Sequence, residues 1–237
     1  MSFLTACHYK TEADFVPTYS ESAAADLPLS QEKQEFAAQN DQYLERERLF
    51  MWYAAQEHEP IDVVFLGDSI TQKFEWSEVF PGLTVVNRGI DSDTTAGALA
   101  RLDSVTALSP KVVSCLLGIN DISSGRSVED IRETYAEIFD TLRSELPSVH
   151  IIVTSVFPVT KNHPIDNESV ILLNQALAEL CAEKDVLFLD IYDSFVDASG
   201  NLSPAYAIDL VHLSIQGYLQ WLRVLSPQIY GILRDDG

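Results

Sequence analysis

The chain has 237 residues, of which 46% are hydrophobic, enough for one large α/β domain with its own core. Its 15 basic and 36 acidic residues give a formal net charge of −21 at pH 7, which disfavours binding to nucleic acid or to anionic membranes. No apolar run approaches the roughly 18 residues of a membrane span, and the N-terminus lacks a basic region followed by an apolar one, so we expect neither stable membrane insertion nor a signal peptide.

The sequence contains three cysteines, Cys7, Cys115 and Cys181, which form neither a Cys-x-x-Cys pair nor an even disulfide framework. Cys115 lies in an apolar run and Cys181 in a helical pattern, so we expect both to be thiols of the core. Unpaired core thiols are typical of a reducing compartment, which predicts a cytoplasmic location.

The N-terminal part of the chain divides into an irregular arm and a helix. Residues 1–30 mix prolines, serines and an alanine run with little periodicity, which predicts an arm without regular structure. Apolar pairs then recur every seven residues, which predicts a helix over 31–57 that belongs to the main domain, 31–237. Its apolar stripe would pack on its own domain or form the seam of a homodimer, and two heptads do not decide between these alternatives.

Beyond residue 60, apolar and β-branched runs alternate with helical patterns. This alternation predicts a parallel sheet with helices on both faces, and right-handed crossovers favour a doubly wound, three-layer α/β/α sandwich. The predicted strands are 61–66, 83–86, 111–117, 150–156 and 186–191, and the predicted helices lie near 70–80, 94–108, 127–146 and 166–184.

The last helical pattern is predicted to begin at about Ser214. Pro227 should kink or divide this helix, because proline removes one helical hydrogen bond. The apolar spacing predicts an inward face formed by the side chains of Ile215, Tyr218, Leu219, Leu222 and Leu225.

Short polar clusters follow the predicted strands, at the sheet edge where sites lie in folds of this kind. Ser69 follows the first strand, Gly89 the second and Asn120 the third, and Asp209 and His212 lie after the fifth strand. A serine at a strand-to-helix turn, with a closely spaced Asp and His, indicates nucleophilic catalysis. The imidazole would take the serine proton, and the carboxylate would orient the imidazole.

Each of these residues also has a plainer structural interpretation. Ser69 could cap the helix that follows it, and Gly89 and Asn120 could be ordinary turn residues. His163, with Asp166 three residues later, is an alternative histidine–aspartate pair. Its loop after the fourth strand is better placed to line a pocket than to hold the base.

Metal and nucleotide sites are not indicated by the sequence. Asp190, Asp193 and Asp197 lack the spacing of a twelve-residue calcium loop. The chain also lacks a Gly-x-x-x-x-Gly-Lys loop and a Gly-x-Gly-x-x-Gly fingerprint, so we predict neither a metal nor an organic cofactor.

The blocks Gly-Asp-Ser-Ile, Asn-Arg-Gly, Gly-Ile-Asn-Asp and Asp-Leu-Val-His resemble the motifs of the SGNH, or GDSL-type, esterase family in order and separation. The resemblance covers roughly residues 60–234, and the segments 91–95 and 101–120 are most similar to the platelet-activating-factor acetylhydrolase branch. It implies a flavodoxin-like sheet of five parallel strands and hydrolysis of small esters without a cofactor.

The resemblance also implies an oxyanion hole formed by the backbone N–H groups of Ser69 and Gly89 and the side-chain amide of Asn120. Asp68 is expected to hold the turn and, with Asp91, to lie at the substrate. Asp91 and Ser92 replace glycines of the relatives. The Asp91 carboxylate would narrow the acyl pocket or repel anionic substrates, unless it points into solvent.

These observations predict a serine esterase, with catalytic residues Ser69, Asp209 and His212, that cleaves acetyl or other short-acyl esters of small molecules. A thioesterase or lysophospholipase with the same catalytic groups is one alternative. The other, from a different class, is a non-catalytic flavodoxin-like module that binds a nucleotide, a flavin or a protein.

Overall fold

The computed structural model describes residues 41–235. The predicted arm, the beginning of the predicted N-terminal helix and Cys7 lie outside this range. Five parallel strands form one sheet in the order β2-β1-β3-β4-β5, which confirms the predicted sheet. The strands are β1 (Val63–Gly67), β2 (Val85–Gly89), β3 (Val112–Leu116), β4 (His150–Thr154) and β5 (Leu187–Leu189).

The described residues form nine α-helices and a short 3-10 turn at Tyr192–Ser194. The helices are α1 (Asp41–Ala54), α2 (Ser69–Gln72), α3 (Trp76–Val79), α4 (Thr95–Ala100), α5 (Asp103–Thr106), α6 (Ile119–Ser123), α7 (Val128–Glu145), α8 (Asn167–Glu183) and α9 (Ile215–Asp235). The predicted helices at 70–80 and 94–108 are each two short helices. The sequence analysis missed α6, which is too short to show a helical period.

The core has two halves, one on each face of the sheet. Alternate residues of β1 point to opposite faces, so Val64 packs toward α7 and α8, while Phe65 packs toward α9. All five residues of β1 and of β3 are buried. Burial on both faces explains why these strands are continuous apolar runs rather than alternating ones.

The N-terminal helix, in its described part, packs on its own domain. Tyr43 and Phe50 are buried and form a small cluster with Ile90, the residue after β2. The Tyr43 hydroxyl donates to the Gly97 carbonyl at 2.7 Å. Tyr43 and Phe50 belong to the predicted apolar stripe of this helix, and both side chains are covered by their own chain.

The last helix departs from its prediction in which side chains face inward. Ile215 and Leu219 are 56% and 47% exposed, whereas Tyr218 and Leu225 are buried. Leu219 is turned by about 100° from Tyr218 around the helix axis, which carries it off the inward face. Of the two effects predicted for Pro227, division of the helix is not observed: α9 continues from Ile215 to Asp235, and Leu225 and Ile229, on either side of the proline, are buried in the same cluster.

Two further expectations concern the cysteines and membranes. Cys115 and Cys181 are buried free thiols, as predicted. Within residues 41–235, no helix is both long enough and apolar enough to cross a membrane.

Candidate active site

The turn after β1 holds Ser69 in a fixed position. A Cβ atom on Gly67 would come within 2.0 Å of the Thr71 hydroxyl oxygen, so this strand end accepts only glycine. Asp68 then caps α2, since its Oδ1 accepts a hydrogen bond from the Ile70 N–H at 2.9 Å. Ser69 is the first residue of α2, and its residue surface is 7% exposed.

The loop between β5 and α9 brings His212 and Asp209 to this serine. The Nε2 atom of His212 lies 2.9 Å from Ser69 Oγ, and its Nδ1 atom lies 2.7 Å from Asp209 Oδ2. The other Asp209 oxygen accepts hydrogen bonds from the backbone N–H groups of Val211 and His212. The structure thus unites the three residues that the sequence singled out.

The charge of Asp209 favours proton transfer from Ser69 to His212. Partial burial raises the pKa of Asp209, but the hydrogen bonds from Val211 and His212 outweigh it and hold this pKa at about 2. The carboxylate is therefore an anion at neutral pH and accepts the Nδ1 proton. In that tautomer the Nε2 lone pair faces Ser69 Oγ, as a general base requires.

A cavity of about 100 Å³ opens beside Ser69. Asp91 and His163 both line it, so both residues lie at the pocket, as the sequence predicted for His163. A larger cavity, of about 1080 Å³, lies at the other end of the strands, near the start of β4. The serine–histidine pair, not cavity size, therefore identifies the site. The complete lining of the smaller cavity is Ser69, Asp91, Ser92, Ile119, Asn120, Ser123, His163, Ile165, Val211 and His212.

Gly89 does not lie where the predicted donor of the oxyanion hole would lie. Its backbone N–H already donates to Asn87 Oδ1 at 2.8 Å, and the residue does not line the cavity. A Cβ atom here would come within 2.3 Å of the Gln72 backbone nitrogen. Gly89 is therefore required for the close approach of β2 to α2, and its amide is not available to a substrate.

Two backbone amides near the cavity remain unused, those of Ser69 and Ser92. No described residue accepts a hydrogen bond from either N–H group. Ser92 lies in the left-handed region with a φ of 60°, which is uncommon for a residue other than glycine. The sequence signal at this position was that Ser92 replaces a glycine of the relatives. No role was predicted for Ser92 from it.

Asn120 occupies the second position of α6, at the cavity wall. Its Nδ2 atom donates to the Asp93 carbonyl oxygen at 2.8 Å and lies 3.5 Å from Asp68 Oδ2. The second contact is long for a hydrogen bond, so one amide hydrogen remains available to a substrate oxygen.

Two ion pairs, one buried and one partly exposed at its arginine, hold this region together, and the sequence predicted neither. Arg101 binds the Asp93 carboxylate at 2.8 Å, and both side chains are almost completely buried. Burial raises the pKa of Asp93 to about 6, although Arg101 lowers it. Asp121, next to Asn120, accepts hydrogen bonds from Thr95 and from Arg126. These contacts fix both the loop that carries Ser92 and the start of α6.

Asp68 does not lie where a substrate-binding residue would. It is 1% exposed and does not line the cavity, so the prediction that it contacts the substrate is not supported by its position. Burial raises the pKa of this carboxyl to about 7, despite the hydrogen bond from the Ile70 N–H. Its evident role is to hold the turn.

Lys73 is a further residue of the site that the sequence analysis missed. Its Nζ atom lies 2.8 Å from His212 Nε2, the atom that also faces Ser69. The only sequence signal is its position, one turn after Ser69 and directly after α2. Within the described range, no cluster of three or more His, Cys, Asp or Glu residues is arranged to hold a metal ion.

Comparisons with known proteins identify the family and the fold of the chain. The family described as GDSL-like Lipase/Acylhydrolase matches residues 65–219. The chain is 30% identical over 182 residues to platelet-activating factor acetylhydrolase IB subunit alpha2 of Rattus norvegicus, covering 73% of this chain and 78% of the rat protein.

Among solved structures, a Streptococcus pneumonia protein described as a platelet activating factor superposes with a TM-score of 0.74 at 24% identity, covering 83% of this chain and 96% of that one. A variant of an acetyl-xylooligosaccharide esterase from Geobacillus Stearmophilus has a TM-score of 0.55 at 25% identity, covering 71% and 94% of the two chains. The family match spans more than half of the chain. The chain therefore belongs to the GDSL-like lipase/acylhydrolase family and is a hydrolase of ester bonds.

Proposed function

We propose that the chain is a serine esterase in which Ser69 is the nucleophile, His212 the general base and Asp209 the residue that orients it. The observation that carries this proposal is the continuous hydrogen-bonded chain from Ser69 Oγ through the imidazole to the Asp209 carboxylate. His212 takes the serine proton as Oγ attacks the ester carbonyl. It then protonates the departing alcohol, and later it activates the water that releases the acid.

The oxyanion of the tetrahedral intermediate would be bound by the backbone N–H groups of Ser69 and Ser92 and by the Asn120 amide. Ser92 takes the place first assigned to Gly89, whose amide is occupied by Asn87. Support comes from the free Ser69 and Ser92 amides and from the common cavity that these residues line. Such donors act by meeting negative charge in a position fixed before the reaction.

We further propose an acetyl or similarly short acyl group. The cavity of about 100 Å³ is far smaller than the usual ligand pocket of about 300–1,000 Å³. Asp91 in its wall disfavours an anionic acyl group. Acetyl groups also appear in the names of the rat relative and of the Geobacillus esterase.

A second candidate is a lysophospholipase or thioesterase that acts on long acyl chains. It is favoured by two exposed apolar side chains beside Asp209, those of Ile208 and Leu210, which are 66% and 43% exposed. A long chain could lie on them outside the cavity. A series of nitrophenyl esters separates the candidates: rates that fall with chain length support the short-acyl proposal, and rates that rise with chain length support the second.

The test of the nucleophile compares nitrophenyl acetate hydrolysis by the wild type and by Ser69→Ala. Ser123→Ala is the matched control, because Ser123 lines the same cavity without contacting His212. We expect Ser69→Ala to lose nearly all activity and Ser123→Ala to retain it. Equal rates for the wild type and Ser69→Ala would overturn the proposal.

A further inference from the structure

Lys73 lies beside the histidine nitrogen that, in the proposed reaction, protonates the departing alcohol. Its Nζ atom is 2.8 Å from His212 Nε2, which is itself 2.9 Å from Ser69 Oγ. In the proposed reaction this nitrogen passes the serine proton to the alcohol oxygen. Substituents of the alcohol therefore pass close to Nε2 and, with it, to the Lys73 ammonium group.

Within residues 41–235, no carboxylate neutralises the charge of Lys73 by an ion pair, although the chain carries 36 acidic residues. By contrast, Lys111 and Lys184 are each paired with an aspartate at 2.7 Å. Lys73 is exposed and contacts an imidazole nitrogen, so its ammonium group can pair with an anion that approaches from solvent.

The two sides of Ser69 differ in charge. Asp91 lines the small cavity, whereas Lys73 lies outside its lining, at His212. A negative group is therefore disfavoured on the side of the cavity and favoured on the side of the histidine. This asymmetry distinguishes the acyl part of an ester from its alcohol part.

We propose that Lys73 is a specificity-determining residue that selects esters whose alcohol carries an anionic group, a carboxylate or a phosphate. The inference rests on the proposed function of Ser69 and His212. In the free enzyme, Lys73 Nζ and Ser69 Oγ both lie within hydrogen-bond distance of Nε2, so the two groups compete for its lone pair. An anionic substituent pairs with Lys73 and draws it away, which leaves Nε2 to the serine.

The test uses two esters of similar shape, meta-acetoxybenzoate, whose leaving phenol is anionic, and the neutral meta-acetoxybenzamide. The measured quantity is the ratio of kcat/KM for the anionic ester to that for the neutral one. We expect Lys73→Met to lower this ratio about fivefold, the upper range for an exposed ion pair. Meta-acetoxyphenyl phosphate, compared in the same way, shows whether a phosphate or a carboxylate is preferred.

Two variants make the result specific. Lys73→Arg keeps a cation at the site and should retain most of the ratio. Lys111→Met removes one positive charge before β3, at the other end of the strands, and should leave the ratio at its wild-type value.

Two results would overturn the inference. If Lys73→Met changes both rates by the same factor, Lys73 has only a structural role, and the proposed function stands as long as Ser69→Ala is inactive. If the wild type hydrolyses neither ester, this inference fails, and the proposed function fails with it only if nitrophenyl acetate is not hydrolysed either.

Discussion

Replacing Asp68 with asparagine should change how the stability of the protein depends on pH. Burial, together with the nearby Asp93 and Asp121 carboxylates, raises the pKa of Asp68 from 3.8 to about 7. Asparagine keeps a side-chain oxygen that can accept the Ile70 hydrogen bond, and it resembles the neutral form of the acid. The substitution therefore removes the titration while largely preserving the cap of α2.

The sign and size of the effect follow from the two pKa values. The unfolded chain releases this proton near its ordinary pKa of 3.8, but the folded chain holds it until about pH 7. The contribution of Asp68 to stability is therefore complete at low pH and is lost as pH rises toward 7. Each pH unit between these values costs up to about 1.4 kcal/mol, so the loss between about pH 5 and pH 8 is about 2–3 kcal/mol.

Urea unfolding of the wild type and Asp68→Asn at several pH values between these limits measures this difference. We expect the free energy of unfolding of the variant, relative to the wild type, to rise with pH by the stated amount. The matched control is Asp166→Asn, because Asp166 also caps a helix but is exposed and its pKa lies below its ordinary value. It should show no such rise. A constant difference between Asp68→Asn and the wild type would refute the reasoning.

The remaining predictions concern the catalytic groups and the packing of the turn. Asp209→Asn should lower kcat by about 10⁴-fold in steady-state assays, because an amide favours the wrong tautomer of His212; a loss below about tenfold would contradict this role. Asn120→Ala should lower kcat by about 100- to 1000-fold with little change in KM, and an effect confined to KM would instead assign Asn120 to substrate binding. Gly89→Ala should lower the thermal midpoint sharply, because its Cβ would overlap the backbone of Gln72. Gly231→Ala is the control, since no atom lies within 4 Å of the added carbon, and a helical alanine should stabilise the protein slightly. Similar midpoints for the two glycine variants would contradict the packing argument.

The existence of the five strands and the position of the serine could be predicted because their signals are local. The apolar runs are long enough to show burial on both faces, and Ser69, Asp209 and His212 each follow a predicted strand. Parallel strands end at one edge of the sheet, so their proximity followed from topology.

Other features depend on contacts that local sequence does not encode. A glycine serves equally as an amide donor or as a site of close packing, and only the positions of Asn87 and Gln72 show which applies at Gly89. The contact of Lys73 with His212 joins residues 139 positions apart. The exposure of Ile215 follows from how α9 meets the sheet, which its periodicity alone could not show.

The central claim is that Ser69 is the reactive alcohol of this chain. Labelling with a fluorophosphonate, followed by peptide mass spectrometry, tests it most directly. The account predicts one adduct, on Ser69, which forms in step with the loss of esterase activity and is absent from Ser69→Ala. An adduct on another residue that abolishes activity, or full activity after Ser69 is labelled, would contradict it.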